Sequence, residues 1–74
     1  MNAEYAVILV DSTSHALRIE KLLNKHGLAC KLIPVPRHLS SDCGVCVRIL
    51  QQDLEAVRGM ISEQQINIQA IEVI

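Results

Sequence analysis

Apolar residues recur along this chain with two different periods. Tyr5-Ala6-Val7-Ile8-Leu9-Val10 is a short apolar run closed by Asp11, the pattern of a buried strand. A helix is predicted next. Ser12, Thr13 and Ser14 offer alternative N-caps, Ala16, Ile19, Leu22 and Leu23 recur at helical spacing, and Gly27 supplies a left-handed stop just after Lys25 and His26. Leu28 to Ile33 predicts a second strand ended by Pro34. The order then repeats. Val45 to Leu50 predicts a third strand, and Leu54, Val57, Met60 and Ile61 form the stripe of a helix beginning near Gln52 or Asp53. Ile66 to Val73 predicts the last strand.

Two β-α-β units joined by a loop, with helices and strands each roughly 20 Å long, fit one helix layer on one sheet. The expected class is therefore α+β: a single domain over residues 1–74 with the ferredoxin-like βαββαβ two-layer sandwich, a four-stranded antiparallel sheet carrying two helices on one face. Right-handed crossovers place the first and third strands at the centre and the second and fourth at the edges.

Composition changes the picture in two ways. Twenty-five of the 74 residues are Ile, Val or Leu, and Tyr5 is the one aromatic. A chain this short buries only about 60% of its unfolded surface, so it needs a dense aliphatic core. Strands apolar on both faces, with helices on only one, predict that the second face is covered by self-association or by a partner domain. The formal charge of −1 and the lack of aromatic platforms argue against nucleic acid. The longest wholly apolar run, Ala6 to Val10, is far short of the ~20 residues that span a bilayer, and Met1-Asn2-Ala3-Glu4 starts no signal-type segment, so a cytoplasmic protein without a membrane role is expected. Three cysteines in a reducing compartment point to packing, metal or thiol chemistry rather than a disulfide framework.

Candidate chemistry concentrates between the halves, in Pro34-Val35-Pro36-Arg37-His38-Leu39-Ser40-Ser41-Asp42-Cys43-Gly44-Val45-Cys46. Pro34 and Pro36 fix an extended exit from the second strand and lead to a short helical turn at Arg37 to Ser41, and Gly44 lets the backbone turn or approach a ligand. The loop sets the Cys43 thiol near a guanidinium, an imidazole and two hydroxyls, surroundings that stabilise a thiolate, although Asp42 opposes this. Cys30, inside a strand pattern, reads as packing; His15 and His26 read as helix-terminal residues without a catalytic role. Cys43 and Cys46 have C-x-x-C spacing, but they run into a β-branched strand. Three strand residues span about 10 Å, whereas bridged cysteines need α-carbons within about 7 Å. Cys43, Cys46 and His38 offer at most three zinc ligands in one chain, so a cysteine-ligated metal site needs two chains; no resident metal or cofactor is expected.

Ser12-Thr13, Ala16, Glu20, Leu23 and Gly27, followed by Pro34-x-Pro36-Arg37-x-Leu39-Ser40-Ser41-x-Cys43-Gly44, resemble the selenium/sulfur carrier protein-like family of small bacterial domains, formerly of unknown function. The resemblance implies that Cys43 is the acceptor thiolate, carrying sulfur or selenium as a persulfide or selenopersulfide between donor and acceptor proteins. Arg37, Ser40, Ser41 and Gly44 would form its binding surroundings, His38 would take the thiol proton, and Pro34 and Pro36 would hold the loop. Cys46 stands where the family pattern suggests a small apolar residue, leaving open a second thiol or a packed substitute for alanine. Such a carrier needs no turnover of its own, so an accessory protein is expected rather than a stand-alone enzyme. The alternative from another class is a non-catalytic interaction or small-ligand module with structural cysteines.

Overall fold

The computed structural model describes residues 4–39 and 43–74. Ser40 and Ser41, two of the predicted site residues, lie outside them, as does Asp42. Chain order is β1 (Tyr5–Leu9), α1 (Thr13–Lys25), β2 (Cys30–Pro34), β3 (Val45–Leu50), a 3₁₀ turn (Gln51–Asp53), α2 (Leu54–Glu63) and β4 (Ala70–Val73). The strands form one antiparallel sheet in the order β2-β3-β1-β4, so the predicted ferredoxin-like βαββαβ arrangement is the observed one.

Alternation along β1 splits the core in two. Ala6, Ile8 and Val10 face the helices, where they meet Val47 and Ile49 of β3, Ala16, Ile19 and Leu23 of α1, and Val57 and Ile61 of α2. Val7 and Leu9 face the other way, where they meet Cys46 under a cover of Ile33, Val35, Leu39 and Ala70. This second cluster revises the expected picture of an uncovered sheet face. The chain's own loop closes one end of that face. Toward the other end, Arg48, the register partner of Val7, lays its guanidinium 4.3 Å from the ring centroid of Tyr5, and Val7 is left with no exposed surface. The chain's own loop thus supplies part of the cover that the apolar strands call for.

The helix ends explain where strand boundaries depart from prediction. α1 starts on Ser12, whose Oγ accepts from the His15 backbone N–H at 3.4 Å. It ends at Gly27 (φ +74°), where Leu28 N–H donates to Leu23 O and Gly27 N–H to Asn24 O, the paired bonds of a Schellman motif. α2 ends the same way around Gln65 (φ +55°), with Ile66 N–H donating to Ile61 O and Gln65 N–H to Ser62 O. Leu28 and Ile66 are therefore the apolar residues that close these caps onto the core, not the first residues of strands. β2 accordingly begins at Cys30 rather than Leu28, and β4 at Ala70 rather than Ile66. A side chain in the left-handed region costs about 1 kcal/mol. Gln65→Gly is expected to raise unfolding stability by up to about that amount and Gly27→Ala to lower it similarly, read as opposite shifts of the urea midpoint.

Candidate functional site

The loop between β2 and β3 is built on its two ends. Pro34 lies on an edge strand, where its missing N–H costs no ladder bond, and it pairs with Val45. Val35 N–H then donates to Gly44 O at 3.1 Å, which closes the base of the loop. Gly44 has φ +71°, a conformation that favours glycine at the point where the chain turns into β3. Above this base, Leu39 N–H donates to Pro36 O at 3.0 Å, making a tight turn with Arg37 and His38 at its tip. A turn was expected from Arg37 onward. Its geometry sorts the loop: Arg37 and His38 are exposed, whereas Val35 and Leu39 fold back over Val7, Leu9 and Cys46.

The three thiols have different fates. Cys46 is fully buried beneath the loop, and its Sγ–H points to Pro34 O at a long 4.0 Å. Burial, and secondarily the negative charge of an ionised Cys43, push its pKa up, so at neutral pH it is a protonated, enclosed thiol. Cys30 stands at the far end of β2, about 13 Å along the strand from Pro34. Its Sγ faces α1, 3.5 Å from Asn24 Oδ1 and 3.8 Å from Glu20 O, and burial together with the Glu20 charge also raises its pKa. Cys43 is half-buried at the loop's end, its Sγ–H donating to Val45 O at 2.9 Å. A carbonyl can only accept, so that contact belongs to the protonated thiol and must be released before the sulfur attacks.

Cys43 and Cys46 belong to opposite faces of the sheet. Cys43 packs against the helix-side cluster and Cys46 lies in the loop-side one. A disulfide between them therefore needs the start of β3 to be rebuilt. Among the described residues, neither Arg37 nor His38 is hydrogen-bonded to Cys43, and no group of three His, Cys, Asp or Glu side chains is placed to hold a metal ion. Nor, among those residues, is any helix long and apolar enough to cross a membrane.

His15, read from the sequence as a helix-terminal residue, has surroundings that the sequence did not reveal. It stands in the first turn of α1, at the end of the sheet where Leu9 pairs with Cys46, and its Nδ1 is buried without a hydrogen-bond partner. Its place three residues after the N-cap was legible; the burial of its Nδ1 was not.

With this geometry in place, comparison with known families is informative. Residues 4–72 match the family described as "Putative Se/S carrier protein-like". The chain belongs to this family. The match covers both β-α-β halves and the loop between them. No curated protein and no solved structure matches the chain significantly.

The cover over Cys46 leads to a specific expectation. Leu39→Ala removes about 1–2 kcal/mol of apolar burial from the loop and shifts its opening equilibrium. Alkylation of Cys46 in the native protein, followed by peptide mass mapping, is expected to accelerate about tenfold or more. An unchanged rate would mean that the loop is not what shields this thiol.

Proposed function

We propose that this Se/S carrier family member carries one sulfur or selenium atom on Cys43, as a persulfide or selenopersulfide, between a donor and an acceptor protein. The observation that supports this most is the placing of the thiols: Cys46 is fully buried, Cys30 is turned to Glu20 and Asn24 of α1, both are pushed toward the protonated form, and Cys43, buried to the same degree as Cys30, stands at the end of the loop.

The transfer is redox-neutral. The Cys43 thiolate attacks the outer sulfur of a donor persulfide, R–S–SH. A bond forms between Sγ and that sulfur, the donor S–S bond breaks, and R–S⁻ leaves with the bonding pair. An acceptor thiolate reverses the step by attacking the outer atom and expelling Cys43 as thiolate. The same bookkeeping of bonds holds with selenium as the outer atom. His38 takes the thiol proton, while Arg37, Ser40, Ser41 and the backbone at Gly44 receive the anionic terminal atom. Pro34 and Pro36 keep the loop in reach. Arg37 and His38 are exposed at the tip of the turn, and docking of the partner turns them to the sulfur. Cys46 is a reserve thiol reached only when the loop opens.

The test is the competition among the three thiols for iodoacetamide at neutral pH, resolved by peptide mapping. Cys43 is expected to react first, and faster than an unstructured cysteine peptide. Equal rates at Cys43 and the peptide, or preferential labelling of Cys30, would remove the support for a carrier thiolate.

A further inference from the structure

The sulfur chemistry leaves one charged feature of the molecule unused. Arg18, Lys21 and Lys25, three of the seven Lys and Arg residues, line a single hollow of about 220 Å³ together with Leu22, Gln64 and Ile66. The three cations recur at i, i+3 and i+7 on α1, a row extending about 10 Å along the helix. All three are exposed, no carboxylate lines the hollow, and none of the three has an ion pair among the described residues. The Schellman turn of α2 brings Gln64 and Ile66 alongside, so the floor between the charges is apolar, made of half-buried Leu22 and buried Ile66. In a protein whose net charge is −1, this is a local field of the opposite sign.

We infer that this α1–α2 groove docks an acidic segment of a partner protein, with carboxylates along the Arg18–Lys21–Lys25 row and an apolar side chain on Leu22 and Ile66. Charge complementarity selects the occupant. A single small anion does not fit a row of this length, because the cations are spread along the helix on flexible, solvated stems rather than converging on one buried point. RNA fits poorly as well: the chain's one aromatic, Tyr5, is engaged by Arg48 on the sheet, so the groove has no stacking platform. The groove lies on the helix layer, while the loop residues Val35 and Leu39 cover the opposite sheet face, so a partner held here leaves that loop uncovered. The competing structural account is that these cations only complement the C-terminal dipole of α2.

The experiment uses the whole, isotope-labelled chain and three probes: a short Glu/Asp-rich peptide with a central Leu, a single-stranded oligouridylate, and inorganic phosphate. Peptide-induced amide shifts are expected to centre on residues 18–25 and 64–66, and binding is expected to weaken with salt. The combined variant Arg18→Glu, Lys21→Glu, Lys25→Glu is expected to lose about tenfold or more in peptide affinity, while Lys31→Glu or Arg58→Glu changes it less than about twofold. Thermal melts of the same variants check that they fold. Cys43→Ser binds the peptide as the parent does, so failure of the carrier chemistry and failure of this docking surface are read separately. The inference is overturned by shifts centred elsewhere, by an unchanged affinity in the folded triple variant, by tighter oligouridylate binding at the same residues, or by phosphate alone reproducing the shifts at equal concentration. An unchanged affinity combined with a lowered melting temperature identifies the dipole account.

Discussion

Cys43→Ser is expected to abolish loading of the protein by a polysulfide, whereas Cys46→Ala and Cys30→Ala each retain it. The asymmetry follows from where the sulfurs lie. Loading requires a thiolate to reach the outer sulfur of the donor in line with the bond that breaks, and only an accessible sulfur can do so. Cys46 has no exposed surface and lies under Val35 and Leu39; Cys30 is turned to Glu20 and Asn24 on α1. Cys43 stands at the end of the loop, and the contact of its thiol with Val45 O is released before the sulfur attacks. Serine keeps the size and the hydrogen bond of the thiol, so a folded Cys43→Ser protein isolates the chemistry from the packing. Labelled sulfur remaining on Cys43→Ser at the parental level would transfer the carrier role to another residue.

The second large effect concerns the scaffold. Ile8 lies at the middle of the central strand, without exposed surface, against both helices, and it is among the largest fully buried side chains. Replacing it by alanine removes three carbons from a site whose walls are strands on both sides and helices beneath, so little can collapse into the gap. The expected loss is about 3–5 kcal/mol. Domains of this size have about 5 kcal/mol in total, so Ile8→Ala is expected to be substantially unfolded at room temperature by circular dichroism and urea titration. Val73→Ala, at an exposed position on the outer strand, is expected to stay within about 0.5 kcal/mol of the parent. Similar losses at the two positions would mean that the core is not organised around β1.

Much of this architecture was legible in the amino-acid pattern. Tyr5 to Val10 and Val45 to Leu50 are apolar on both faces because they become the two central strands, each covered by helices below and by loop or side chains above. The helix of residues 13–25 announces itself through Ser12, its apolar stripe and Gly27. Its partner's end was less readable, because Gln65 occupies the left-handed position that Gly27 fills in the first half. Ile66, like Leu28, reads as strand although it is the apolar closure of a helix cap, because each leads into the apolar residues of the strand that follows.

The cover of the second sheet face was harder still. Val35 and Leu39 are isolated apolar residues among prolines and polar groups, and no periodicity ties them to Val7 and Leu9. Only the turn closed by the Leu39 N–H to Pro36 O bond brings them back across the sheet. The separation of Cys43 from Cys46 was no easier to read, because Cys43 and Gly44 form a turn ahead of β3, with Gly44 at φ +71°, and strand alternation does not extend across it.

The account turns on one sulfur atom, and intact mass analysis addresses it directly. Protein purified without reductant, measured before and after dithiothreitol and then mapped by peptide, is expected to carry the added mass of a single sulfur or selenium atom on the peptide containing Cys43, and to lose it on reduction. Protein that gains no such mass even after incubation with a persulfide donor, or that holds it on Cys30 or Cys46, would contradict the proposed carrier.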